Sequence, residues 1–185
     1  VAAFNVLLIV LPLLASSTMD ATLFSREGRA AYIKKTKPIK PYFPLSSKLF
    51  FNMIFVIPSI VACSFIFVRF TNSGPLCGVL LGFTVLAIQY GHIFYSATLD
   101  IMNPQNEIYA TEGSSFSNPN ERKSTIIGFL VSILFAFVGF ILFKESYDSY
   151  KNFNLAFIKL LLLASLFAGS AILWFYLKVK AFYID

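Results

Sequence analysis

His92 is the single histidine of the chain, and Gln89 precedes it by three residues, so a helix carries both on one face. In an apolar run such a pair has two uses: hydrogen bonding to a neighbouring helix, or lining a path or gate for something that crosses. Gln89 and His92 are therefore a candidate intramembrane polar site, with interhelical bonding the commoner use. One histidine and two cysteines, Cys63 and Cys77, do not supply a metal site, and the cysteines read as free thiols that fill space. Four acids, Asp100, Glu107, Glu112 and Glu121, fall within one loop region, which suggests acid–base chemistry. No nucleophile or metal ligand accompanies them, so a solvated acidic face is expected. The chain has no HExxH, no GxSxG and no Walker-type glycine loop. No catalytic residue is assigned, the protein is not expected to be an enzyme, and it cannot bind and hydrolyse ATP by itself.

The elements that must position these residues follow from composition. Hydrophobic residues make up 57% of the chain and charged residues 13%, with a mean hydropathy of +0.74. A soluble domain carries roughly 25% charged residues. Half of that does not cover a globular surface of 185 residues, which excludes a water-soluble monomer, and the same apolar content excludes a disordered chain. Five segments approach or reach the roughly 20 apolar residues that span a bilayer: residues 1 to 18, 49 to 70, 76 to 99, 125 to 143 and 154 to 177. They do not alternate as barrel strands would, so an all-α integral membrane protein with about five transmembrane helices is expected. Residues 1–185 form a single transmembrane domain on this reading. The chain opens directly on an apolar run without a basic leader, so it is expected to be a fragment of a larger protein.

Charge gives the orientation. Residues 20–48 hold seven basic side chains against Asp20 and Glu27. Loops rich in Lys and Arg stay in the cytoplasm. With that loop inside, eleven of the fifteen basic residues face the cytoplasm, and the topology is N-outside, C-inside. The net charge of +6 is explained by topology and needs no nucleic-acid partner.

The inner loops carry the functional information. Residues 25–35, SREGRAAYIKK, read as a short helix that Ser25 caps, with Glu27 in the first turn and Lys34 and Lys35 in the last. Such a helix has too few apolar positions to bury itself, so it either lies on anionic headgroups or docks against another protein. Pro38, Pro41 and Pro44 then predict an extended strap before the second span, which Ser46 or Ser47 would cap. Asn118-Pro119-Asn120-Glu121 predicts a helix start outside the apolar core of the fourth span. Pro58 and the span glycines read as bundle packing, with a kinked gating helix as the sharper use of Pro58.

Taken together, the run from Ser17 to Lys35, then Lys37-Pro38-Ile39, then Ser47-Lys48, resembles the signature of a group of bacterial ABC-2-type exporter permeases. In these a Ser-x-Glu-Gly-Lys/Arg turn follows a transmembrane helix and a lysine opens the next. The second inner loop, from Leu99-Asp100 through Pro104 to Asn106-Glu107, is similar to that family's Asp, Pro and Asn-Glu pattern. The match spans residues 16 to 123. It lacks the tryptophan usual near Asn106, and Pro104 stands where a basic residue is usual. The resemblance implies the C-terminal part of a permease in the bacterial inner membrane. Residues 25–35 would be the coupling helix, with Ser25, Arg26, Glu27, Gly28, Arg29, Lys34 and Lys35 at the interface with a separate ATP-binding-cassette ATPase. Glu27 and Arg29 would make the contacts and Gly28 would allow close backbone approach. ATP and Mg would be held by that partner, with no cofactor in this chain. Membrane lipids and a second permease half or copy complete the expected partners. Alternatives are a structural or accessory subunit of a larger membrane complex, and an intramembrane enzyme using His92 and the acidic second loop.

Overall fold

The structure, a computed structural model, describes residues 2–36, 42–71, 74–113, 117–149 and 153–184. Its α-helices are α1 (Ala2–Ser16), α2 (Tyr42–Thr71), α3 (Pro75–Met102), α4 (Asn106–Glu112), α5 (Pro119–Ser149) and α6 (Phe153–Ile184). Two 3-10 stretches, Ser17–Thr22 and Ser25–Thr36, follow α1, and no strand occurs among the described residues. Five stretches are long and apolar enough to cross a membrane: Asn5–Ala30, Tyr42–Thr71, Pro75–Met102, Pro119–Asp148 and Phe153–Ala181. This is the architecture of a multi-pass membrane protein.

The helices overrun their apolar cores. α2 starts at Tyr42, so Pro44 lies in its first turn, where a missing N–H costs nothing. That corrects the expected strap at Pro44; Pro38 and Pro41 lie outside the described residues. Ser46 and Ser47 are inside the helix and donate back to the carbonyls of Tyr42 and Pro44 rather than capping it. α5 starts at Pro119 as its sequence predicts, and Asn118 Oδ1 accepts the Asn120 N–H at 2.8 Å. Helix α2 runs through Pro58 without a break. Cys63 and Cys77 are both free. Lys159, on α6, pairs at 3.3 Å with Glu145 of α5.

α3 is the central element: 56% of its span is buried, against 18% to 39% for the other four. It packs most extensively on α6. Its small residues allow this, because helices in lipid gain from close van der Waals contact rather than from leaving water. A Cβ on Gly91 would lie 2.5 Å from the Phe167 ring and 3.1 Å from the Ala168 backbone. Gly91→Leu is therefore expected to lower the stability of the bundle by about 1–3 kcal/mol, read as a fall in the thermal unfolding midpoint in detergent. Away from this seam the large side chains point outward: Phe65, Phe70, Phe137 and Leu166 are all more than half exposed. Lipid covers such faces, which is how a chain with so few charges remains folded.

Between α1 and α2 the expected single short helix is not formed. The Ser25–Thr36 stretch is broken at Gly28, whose φ of 53° and ψ of −133° lie outside the helical region. A side chain is strained at that φ, so the glycine sets the bend. The side chains of Lys34 and Lys35 lie outside what the structure describes.

Candidate functional site

The polar residues of the bundle gather on one face of α3. Gln89, His92, Ser96 and Asp100 recur at intervals of three to four residues, and each is 0% exposed. Asp100 closes this row where α3 ends. The expectation of a solvated acidic face fails here, because the Asp100 carboxylate is enclosed by the loop that follows α1. Its Oδ2 accepts the backbone N–H groups of Phe24 (2.8 Å) and Ser25 (2.9 Å). Its Oδ1 accepts the Ser25 hydroxyl and, at 3.4 Å, the Asn120 amide of α5. Ser25 therefore does not act as the expected helix cap. Its hydroxyl donates to Asp100, and its oxygen accepts the Gln105 N–H at 2.9 Å.

The second loop closes on the first. Asn106 Nδ2 lies 3.0 Å from the Phe24 carbonyl and 3.4 Å from those of Ser25 and Gly28. An amide carries two protons, so these contacts are partly shared. Asn103 and Asn120 exchange hydrogen bonds, Nδ2 to Oδ1 at 3.2 Å and Asn120 Nδ2 to the Asn103 carbonyl at 2.8 Å. Beside this node Glu27 pairs with Lys48 in the second turn of α2, with only 13% of the Glu27 side chain exposed. Asn52, one turn further along α2, donates to the buried Asp20. The turn after α1 is thus tied to α2, α3, α4 and α5 at one end of the bundle.

The predicted interface residues divide between two roles. Ser25 and Gly28 are buried and built into the node, and Glu27 is committed to Lys48 within the chain. Arg26 and Arg29 are exposed; Arg26 approaches Glu121 at 3.9 Å. Glu107 and Glu112 are exposed, as an acidic face requires.

Of the intramembrane pair, His92 bonds neighbouring helices. Its Nε2 lies 3.1 Å from the Ser124 carbonyl of α5 and so donates there, and its Nδ1 lies 2.6 Å from the Ser17 hydroxyl at the end of α1. Ser96 and Ser124 share a further bond of 2.7 Å. Gln89 is equally buried, yet neither end of its amide has a hydrogen-bond partner among the described residues. An unpartnered amide in an apolar interior is destabilising, so Gln89→Leu is expected to raise stability by about 1–2 kcal/mol. The thermal midpoint in detergent measures this, and a fall would show that the amide has a partner in the folded protein.

No histidine, cysteine or carboxylate cluster suited to a metal occurs among the described residues. A cleft of about 500 Å³ between α2 and α3, walled by Ile57, Val61, Phe65, Val79 and Phe83, offers only apolar contact apart from Ser64.

Sequence reasoning from composition missed Asp20, Asn52, Ser96, Asn120 and Ser124 as partners. The signal for Ser96 and Asp100 was present, since both continue the helical row that Gln89 and His92 begin. Comparison with protein-family models, with curated proteins and with solved structures finds no match to this chain.

Proposed function

We propose that this chain is a membrane subunit of an ATP-binding-cassette exporter in a bacterial inner membrane, driven by a separate ATPase subunit. The supporting observation is the node itself. Ser25, Gly28, Asp100 and Asn106, four of the residues that carry the resemblance to ABC-2-type permeases, are joined by hydrogen bonds or direct packing, and Lys48, another of them, is tied to Glu27. A push on the exposed side of residues 25–30 reaches α3 through Asp100, α5 through Asn120 and α2 through Lys48. A segment linked to three spans can convert movement of a docked protein into movement of helices, whereas a basic segment lying on headgroups needs no such links.

In this reading the basic end of the bundle faces the cytoplasm. The partner binds ATP with its Mg and hydrolyses it, and this chain moves between inward-open and outward-open states. Gln89, buried near His92 and without a hydrogen-bond partner among the described residues, is available to meet a polar group in transit.

Purification of the tagged chain from native membranes in mild detergent tests the reading. An ATP-binding-cassette subunit with vanadate-sensitive ATP hydrolysis is the expected companion. Recovery with redox subunits and no ATPase would support the accessory-subunit reading instead.

A further inference from the structure

The cleft between α2 and α3 lies apart from the node of the inner loops, and its groups stand in a definite order. Close approach of the two helices forms its floor. A Cβ on Gly78 would collide with Val68, and one on Gly82 would lie 3.1 Å from the Ser64 hydroxyl. Its walls carry exposed side chains, Val61 and Phe65 on α2 and Val79 and Phe83 on α3. Both helices are long and apolar enough to cross a membrane, so the cleft opens sideways into hydrocarbon.

Its dimensions narrow the occupant. The α2 wall runs from Ile57 to Val68, about 16 Å along the helix. Spread over that length, the volume of about 500 Å³ is a channel about 30 Å² in section. A helix, about 10 Å across, is too wide to lie in such a channel, whereas an extended hydrocarbon chain is not.

Polar groups mark one end. Val61, Phe65 and Arg69 follow at four-residue steps, so Arg69 continues the wall one turn beyond Phe65. Arg69 is exposed, two residues from the end of the span, and has no ion-pair partner among the described residues. Ser64, the one polar side chain of the wall, lies five residues before it, about 7.5 Å along the axis. From there to Ile57 the wall is apolar. Cation, hydroxyl and apolar channel come in the order in which a phospholipid presents phosphate, ester and acyl chain. A guanidinium suits the phosphate, because its planar fork donates to two oxygens at once.

We propose that this cleft binds one glycerophospholipid, with an acyl chain between α2 and α3, its ester at Ser64 and its phosphate on Arg69. The site lies in the leaflet remote from the basic loop, since α2 leads across the membrane from that loop. Such binding requires only the membrane-spanning fold, so it holds or fails apart from the transporter reading.

For the test, the full chain is purified in maltoside detergent and titrated with phosphatidylglycerol or with diacylglycerol of the same chains. Native mass spectrometry counts the bound lipid. One phosphatidylglycerol, bound in preference to diacylglycerol, is expected. Arg69→Gln should weaken that binding about tenfold, the worth of one charge-assisted hydrogen bond, and leave diacylglycerol binding as it was. Lys144→Gln, which removes an exposed cation from α5, should change neither. Val79→Trp, which fills the cleft from its exposed wall, should displace both lipids. Equal loss from Arg69→Gln and Lys144→Gln overturns the site, and this comparison decides even if Val79→Trp does not fold. Phosphatidylglycerol retained by a folded Val79→Trp overturns it too. So does a photo-crosslink from Val61 to a second protein in native membranes, where a lipid adduct is expected.

Discussion

Asp100→Ala is expected to destabilise the chain by about 3–5 kcal/mol, because three donors lose their acceptor at once and the Asn120 amide is left with the Asn103 carbonyl alone. Two of these are the backbone N–H groups of Phe24 and Ser25, which no rotamer change can redirect. The third is the Ser25 hydroxyl. These groups lie where water is scarce, since Asp100 and Ser25 are 0% exposed and Phe24 is 6% exposed. Asp100→Asn keeps one acceptor for the two backbone groups, but it turns an NH2 toward the Asn120 amide, so an intermediate loss is expected. The damage begins at the loop: protease sites at Arg26 and Arg29 should open before the spans unfold. Limited trypsin digestion in detergent, followed over a temperature ramp, measures both. Loop cleavage unchanged from the unmodified chain would show that Asp100 does not hold the loop.

Gly28→Val is the second large effect. At a φ of 53° a β-branched residue is strained, and the ψ of −133° makes the conformation one that glycine almost alone adopts. Space is not the obstacle, because an added Cβ would meet only Ala110, at ordinary contact distances of 3.6–3.7 Å. The strain, about 1–3 kcal/mol, is relieved by straightening the bend. Straightening moves the Gly28 carbonyl away from the Asn106 amide, which it faces at 3.4 Å. If the chain is the transporter subunit proposed above, transport is expected to fall at least tenfold while ATP hydrolysis by its proposed partner persists. A loss of the spans themselves, seen as aggregation of the purified chain, would place the role of Gly28 in folding instead.

How far the sequence carries can be judged residue by residue. Span number and helical character were legible because the bilayer leaves a backbone few options. The start of α5 was legible because Asn118 and Pro119 act locally. The 25–35 stretch was misread as one helix, since its charges suit a helix dipole at both ends, while Gly28 takes a φ of 53° that breaks it and its carbonyl faces the Asn106 amide, 78 residues away. Asp100 was misread for the same reason. A carboxylate in a loop rich in acids looks solvated until the loop that covers it, 75 residues earlier, is folded over it. Ser46 and Ser47 resemble caps, but the helix start moved to Tyr42, where Pro44 fits the first turn. The pairing of Glu27 with Lys48 could not be read from spacing, since the two lie on different elements and no helical or strand periodicity relates them.

The most direct test of the coupling role is photo-crosslinking in the native membrane from a reactive residue at Ala30, which is exposed on the stretch after Gly28. The account predicts a crosslink to an ATP-binding-cassette subunit that weakens or strengthens when nucleotide is trapped with vanadate. Crosslinks to lipid alone, or to a subunit whose position ignores nucleotide, would contradict it.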